Sequence, residues 1–573
     1  MRTERQILAE SKAAHNHPVY STMAFVMGCG VQGEGRASHV VDEHGNRFLA
    51  MFDQYGNQSF GYSHERVVAA LREQLDTGRL NSTKIMFERE QIRLTERLAR
   101  LTGNRLPFAY LANSGGETID NALKLARAAT GRPGFVTAVD CFHGKTFGAL
   151  SASGRAEHAA LFSPFLDGFR QVPFGDLPAL EAALDADTAA VLLEPVQAEG
   201  GVIVPPPQYL REVRRLCTQA GALLILDEMQ TAFGRCGTFF AFERFGITPD
   251  LVCIGKAFGG GMLPISAVIG TEEVWKALRE QPSTFGSSLG GNPLSCRVGL
   301  EAVEIASEPA FLADVERKAL IIDERLEALA VRFPGLVREH RGLGMMHGLE
   351  FHDEALAGAA LGLLLEARVT STYSLYNPKV LRIQPPLVIS MEDLDFGLDA
   401  LENVLVALSA HRSKAGNASA AEEELTQAPI VRVLRLDASA DEVLERLRDR
   451  PRLLDPFALL PQDEAAPGPD PGFAGTLGHD LVVWTDRVGQ LPDGVALSAE
   501  PCWLWRRLER TVSVRRADDG GCAVTVHVDW DTGSGAYEDM VGGRIAYFVA
   551  QRLAELAAHL ESALFEPSAA HRG

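Results

Sequence analysis

The residues best suited to chemistry are Asp227 and Lys256. Each is delivered by a short apolar run. Leu223-Leu224-Ile225-Leu226 ends on Asp227-Glu228, and Leu251-Val252-Cys253-Ile254 ends on Gly255-Lys256, with Gly259-Gly260-Gly261 just beyond. Runs of this kind, bounded by turn residues, are what strands buried on both faces look like. In open α/β sheets the ends of such strands carry the ligand chemistry. One strand end therefore offers a carboxylate and the other an amine, each on a rigid, dry support. A cofactor with a carbonyl group and a pyridine nitrogen would use both. The amine condenses with the carbonyl, and the carboxylate keeps the ring nitrogen protonated so that the ring accepts electrons. Either residue alone reads more simply as a solvated loop residue, so the pair needs support from the rest of the chain.

The elements that must position them alternate in type. Residues 40–48 form a hairpin turning at His44-Gly45-Asn46. After Gly61-Tyr62-Ser63-His64 comes an amphipathic helix with Val67, Val68, Leu71 and Leu75 at its apolar positions. A strand at 108–112 runs into Asn113-Ser114-Gly115-Gly116-Glu117 and a helix through Leu123 and Leu125. A strand at 135–139 leads to Cys141-Phe142-His143-Gly144-Lys145, and one at 189–193 ends on Glu194-Pro195. This alternation predicts an α/β unit with a mostly parallel sheet and helices on both faces. A helix at 320–331, a strand at 380–383 stopped by Pro385-Pro386, and a helix from 391 to about 410 complete it.

Beyond that, residues 413–428 are polar and rich in short side chains, as linkers are. The texture then changes, and four of the five tryptophans (Trp484, Trp503, Trp505, Trp530) fall there. Strands are predicted at 431–436, 480–484, 503–514 and 522–528, and Ser439-Ala440-Asp441-Glu442 is a capping box opening a helix. A last long helix places Ile545, Phe548, Val549, Leu553, Leu556, Leu560 and Leu564 on one stripe.

Composition narrows the class. A chain of 573 residues exceeds one core, and 46% hydrophobic with 23% charged residues is the balance of a soluble globular protein. A net charge of −20 repels phosphate backbones and argues against nucleic-acid binding. The eight cysteines show no paired metal-site spacing, which predicts neither a disulfide framework nor a zinc site and suits a reducing cytoplasm. Residues 1–20 lack a secretory apolar stretch, and no run is long enough to cross a bilayer.

Several further stretches carry a resemblance: Phe142-His143-Gly144-Lys145-Thr146, Val172-Pro173-Phe174-Gly175, Glu194-Pro195-Val196-Gln197, the run from Gly201 to Pro207, and Arg382-Ile383-Gln384-Pro385-Pro386-Leu387. In this order they resemble the class III aminotransferases, which use pyridoxal 5'-phosphate on fold type I, and within them the putrescine and other ω-amine enzymes. The resemblance implies a unit over 1–412, with a large cofactor domain at about 65–310 and a small domain from 1–64 and 311–412. It implies a homodimer with active sites at the subunit interface.

It also implies residue roles. Lys256 resembles the lysine joined to the cofactor as an imine, which then moves a proton as base and acid. Asp227 resembles the partner of the pyridine nitrogen, Gln230 the residue bonded to the ring hydroxyl, and Phe142 the ring stacked on the cofactor. His143 and Glu194 fall among the cofactor contacts. Ser114, Gly115 and Gly116, between a strand and a helix, would hold the phosphate on backbone N–H groups, though a plain tight turn also explains them. Arg382 resembles the carboxylate clamp of a keto acid and Glu199 the acid that neutralises it for an amine without a carboxylate; a structural ion pair is the plainer alternative. Tyr55 matches a pocket tyrosine. Lys145 stands where ornithine-type relatives carry a second arginine, which favours a diamine donor. Ser288-Leu289 replaces the family's threonine-phenylalanine pair, whose hydroxyl reaches the cofactor phosphate of the neighbouring subunit. Ala198 and Ala232 replace glycines, and Met229 a valine. No metal is implied.

The segment 429–573 resembles the α+β helix-grip (START-like, polyketide-cyclase-like) domains, in which a sheet wraps a long C-terminal helix around an apolar cavity. Together these readings predict an ω-amine:2-oxoglutarate aminotransferase working by alternating half-reactions, located in the cytoplasm and suited to secondary metabolism. Two alternatives remain open: an aminomutase or racemase on the same fold, and a ligand-binding protein that uses the C-terminal cavity.

Overall fold

The computed structural model describes residues 32–42, 45–83, 85–153, 155, 161–278 and 284–415, with strands at 430–436, 489–491, 494–499, 507–516 and 522–531. The chain begins with β1 (Gln32–Arg36), β2 (His39–Asp42) and β3 (Arg47–Ala50), of which β2 and β3 form the expected hairpin. Seven strands then build the central sheet: β4 (Phe108–Ala112), β5 (Gly134–Ala138), β6 (Phe169–Val172), β7 (Thr188–Leu193), β8 (Leu223–Asp227), β9 (Leu251–Ile254) and β10 (Ser266–Gly270). Their spatial order is β4-β10-β9-β8-β7-β5-β6, and only β10 runs against its neighbours.

The apolar runs are explained by this position. Side chains alternate across a strand, and both sides of this sheet are covered. Leu224, Leu226, Val252 and Ile254 enter one core, whereas Ile225, Leu251 and Cys253 enter another on the opposite side. Strands with no wet face contain no alternating polar residues, so they read as continuous hydrophobic runs.

A third core joins Leu49 and Met51 to residues between Val315 and Leu408. It packs the helices Pro309–Arg332, Glu354–Glu366 and Met391–Ala415 against a sheet of β11 (Val337–Leu343), β12 (Met346–Phe351), β15 (Asn377–Ile383) and β14 (Thr372–Ser374). The short β13 (Val369–Thr370) pairs with β3 instead.

Two local expectations change. In the helix Glu65–Asp76, Leu75 is 47% exposed while Gln74 is buried, its amide donating to the Arg79 carbonyl at 2.6 Å. A helical stripe drawn from apolar residues alone misses a buried amide that finds a backbone partner. The helix expected to end near 410 continues to Ala415, three residues into the stretch read as linker.

The C-terminal strands β16 (Ile430–Leu436), β17 (Gly489–Leu491), β18 (Gly494–Ala499), β19 (Arg507–Arg516) and β20 (Cys522–Asp531) form one antiparallel sheet in the order β16-β20-β19-β18-β17. The strand expected at 480–484 and the helices expected at 439 and over 545–564 lie outside the described residues. Among the described residues, no helix is long and apolar enough to cross a membrane.

Candidate active site

Asp227 is the last residue of β8, in register with Cys253 of the parallel neighbour β9, and Lys256 follows three residues after Cys253. Both side chains therefore leave the same edge of the sheet. Lys256 opens a short 3-10 turn with φ +50, left-handed backbone that few lysines adopt. Its ammonium would lie within the influence of three carboxylates, Asp227, Glu199 and Glu194. Burial nevertheless lowers its pKa, which raises the share of free amine near neutral pH. Gly56, at φ +90, lies beside the amine: a Cβ there would be in ordinary contact with Lys256 Cδ at 3.5 Å and the Gln230 Cα at 3.6 Å, so the backbone conformation rather than space favours glycine.

Asp227 is held rather than merely present. Its Oδ2 lies 2.8 Å from His143 Nδ1, and its Oδ1 accepts the Met229 N–H at 3.1 Å. Burial opposes charging of His143, but Cys141 and the Asp227 carboxylate outweigh it and raise the imidazole's pKa. Its Nε2 is buried with no hydrogen-bond partner among the described residues. The neighbouring Phe142 donates its backbone N–H to Glu194 Oε1 at 2.9 Å, and its ring centroid lies 6.0 Å from that of Tyr376. Burial pushes the Glu194 carboxyl up to about 7.

A second cluster adjoins the first. Arg382, fully buried on β15, donates to Glu199 Oε1 at 2.7 Å and to Gln230 Oε1 at 2.7 Å, and also reaches Gln384. Gln230 Nε2 donates to Glu199 Oε1 at 2.9 Å, and the Leu375 N–H reaches Glu199 Oε2 at 3.1 Å. Burial works against the Glu199 charge, yet Arg382 and the Gln230 amide hold its pKa below the usual carboxylate value. The guanidinium lies 5.4 Å from the Phe52 ring and 5.8 Å from the Tyr55 ring. Tyr55 is thus brought to the site, itself at φ +61.

The third part is the start of the helix Gly115–Thr130. Ser114 caps it, with Oγ accepting the Glu117 N–H at 3.3 Å. The N–H groups of Gly115 and Gly116 precede the first intrahelical bonds, as at any helix start. A Cβ on Gly116 would come within 2.9 Å of Thr146, so bare backbone is what fits there. Met229 lies beneath this turn, its Sδ 3.3 Å from where a Gly115 Cβ would be. Ala198 and Ala232 are buried in apolar clusters. Lys145 and Ser288 are both exposed, and none of the polar contacts above involves them.

Sequence reading missed the layer behind Arg382. Arg235 and Asp53 form a fully buried ion pair at 2.6 Å, and Gln384 Nε2 donates to Asp53 Oδ1 at 2.9 Å. Arg235 also donates to the carbonyls of Met345 and Pro385, each at 2.8 Å. The available signal was Gln384, two residues after Arg382 and just past the end of β15.

An amine beside a rigidly held carboxylate, with a bare helix start at the same sheet edge, suits a phosphorylated pyridine aldehyde. Comparison with known proteins agrees. Residues 26–405 match the family described as Aminotransferase class-III, and the chain belongs to that family. It is accordingly a transaminase dependent on pyridoxal 5'-phosphate. Its fold is similar to the ornithine aminotransferase of Toxoplasma gondii ME49 (28% identity, 72% of this chain and 100% of that one, TM-score 0.64). It is also similar to the N-acetylornithine aminotransferase of Stenotrophomonas maltophilia K279a (30%, 67% and 97%, TM-score 0.57). A PLP-bound amine transaminase from an uncultivated Pseudomonas species is a further match (25%, 66% and 94%, TM-score 0.61).

Proposed function

We propose that the chain moves the amino group of an ω-amine, a putrescine-like diamine or related compound, to a keto acid such as 2-oxoglutarate. The observation that carries this reading is the buried Arg382–Glu199 pair with Gln230 bridging it. One pocket must accept an amine that brings no carboxylate and then a dicarboxylic keto acid. With Glu199 on Arg382 the clamp is neutral and suits the amine. With Glu199 turned aside, the planar guanidinium is free for a bidentate carboxylate. Lys145 in place of a second arginine, and the relatives named as an ornithine aminotransferase and an amine transaminase, lend support.

Pyridoxal phosphate, when bound, supplies the electron-accepting ring and the carbonyl carbon. The chain supplies the rest. Lys256 Nζ, kept partly unprotonated by burial, takes the proton from the substrate carbon and returns one. Asp227, fixed by His143, would pair with the ring nitrogen and keep it protonated. Gly115, Gly116 and Ser114 would hold the phosphate at the helix start, Phe142 would pack on the ring, and Gln230 would offer its remaining amide hydrogen to the ring hydroxyl. Ser288 would supply its hydroxyl to the cofactor phosphate of a second subunit in a homodimer. The exposed apolar run Ile85, Met86 and Phe87 is suited to such an interface. The chain works in the cytoplasm, and residues 429–573 form a helix-grip domain, to which the antiparallel sheet lends support.

The test is a panel of amines offered with 2-oxoglutarate to the holoenzyme, read as glutamate formed. Turnover of short diamines above that of α-amino acids is expected. Conversion of an amine with no glutamate appearing would instead indicate a mutase or racemase.

A further inference from the structure

The small-domain sheet holds a cluster that the transamination chemistry does not use. His340 lies on β11, His347 on β12, and Asp323 on the helix Pro309–Arg332. His340 Nε2 and His347 Nδ1 face each other at 3.0 Å, and Asp323 Oδ1 lies 3.9 Å from the first and 4.0 Å from the second. Both imidazole side chains are almost wholly buried, at 4% and 2% exposure, whereas the Asp323 side chain is 59% exposed and opens the cluster to solvent.

Their outer contacts bear on the tautomers. The Gly344 carbonyl, 2.7 Å from His347 Nε2, demands a hydrogen on that nitrogen and leaves a lone pair on Nδ1. The Glu327 carboxylate, 3.4 Å from His340 Nδ1, favours a hydrogen there and leaves a lone pair on Nε2. Without an ion, a hydrogen on His340 Nε2 bridges the 3.0 Å to His347 Nδ1; with that hydrogen on Nδ1 beside Glu327, both lone pairs are open to one positive centre between them. A carbonyl or carboxylate on the far nitrogen of each imidazole is also the usual outer support of a metal-bound histidine. The site is shaped for these rings. Gly342 stands opposite His347 in the β11–β12 register, and a Cβ there would collide with the His347 ring.

We propose that Asp323, His340 and His347 bind a divalent transition-metal ion of the zinc type, with water completing its shell. Zn–N and Zn–O bonds of about 2.0–2.1 Å at tetrahedral angles set ligand atoms roughly 3.4 Å apart. The observed separations of 3.0, 3.9 and 4.0 Å straddle that value, and a small rotation of the exposed Asp323 closes the difference. Two nitrogens and one oxygen select zinc over magnesium, which prefers all-oxygen octahedral sites. The ion clamps the long helix to the β11–β12 hairpin. Because Gly348 of β12 pairs with Arg382 of β15, the clamp braces the strand behind the substrate arginine.

The test uses untagged, full-length holoenzyme stripped with EDTA and titrated calorimetrically with ZnCl2, with MgCl2 as control. The expected result is one zinc per chain, no magnesium uptake, and affinity lowered at least about tenfold in both Asp323→Ala and His340→Gln. Zinc should raise the melting temperature of the wild type and not of the variants, with the cofactor absorption unchanged in all three. Asp323 is exposed, so its variant decides the matter even if His340→Gln fails to fold. Absence of stoichiometric zinc, or equal affinity in Asp323→Ala, would overturn the proposal by leaving only adventitious binding or a hydrogen-bonded histidine pair.

Discussion

At the scale of the residue, the proposed site separates into groups that would touch the cofactor and groups that hold those groups still. Glu199 is the residue whose loss should divide the two half-reactions. In Glu199→Gln the amide cannot neutralise Arg382, so the half-reaction with a diamine should slow about tenfold or more while 2-oxoglutarate binding is retained. Stopped-flow measurement of each half-reaction checks this, and equal losses in both would argue for a purely structural pair. Glu228 makes a separate point about pH. It is buried, accepts the backbone N–H groups of Ala241 and Phe242 at 2.6 and 2.8 Å, and burial pushes its pKa up to about 8. A carboxyl with a raised folded-state pKa binds more protons folded than unfolded. Its contribution is therefore complete below the ordinary carboxylate pKa and is lost as pH climbs towards 8. Glu228→Gln should be less stable than wild type at pH 5, by about 1–3 kcal/mol for the mispaired N–H, yet show a flatter decline to pH 9. Melting temperatures across that range measure both effects.

At the scale of the element, the strand-end positions of Asp227 and Lys256 were legible because strands covered on both faces write themselves as unbroken apolar runs. The proposed chemistry lies where each run stops. The same alternation placed a strand at 108–112 and a helix through Leu123 and Leu125 on either side of Ser114-Gly115-Gly116, as the structure has them. It failed at Gln74, whose burial depends on one carbonyl at Arg79, and it could not see Arg235 meet Asp53 across 182 residues. Polar pairs distant in sequence leave no periodic trace. Two predictions belong here. Gly116→Val drives a side chain into Thr146 at the helix start and should weaken cofactor affinity about tenfold. Fluorescence titration of the apoenzyme with pyridoxal phosphate reads this directly, and unchanged affinity would place the phosphate elsewhere. Asp53→Ala leaves Arg235 charged and buried without its partner, which should cost about 3–5 kcal/mol in urea unfolding.

At the scale of the whole molecule, the family match ends at residue 405, close to the end of the helix Met391–Ala415. The chemistry described above uses no residue beyond it. A chain ended after Ala415 should keep transaminase activity within about twofold of full length if the first unit folds independently. A large loss with the cofactor still bound would give the C-terminal sheet a part in turnover. The shift in tryptophan content and the polar stretch before it are the sequence signals for a boundary there. They carry no sign of a ligand, because a sheet with no chemical motif reports its architecture and nothing of what it binds.

The central claim is that Lys256, among all the lysines, is the one that bonds the cofactor beside Asp227. Borohydride reduction of the holoenzyme, followed by digestion and mass spectrometry, tests it most directly. The reduced cofactor mass should fall on the peptide containing Lys256 and vanish in Lys256→Ala. Recovery of that mass on another lysine, or on none, would contradict the account.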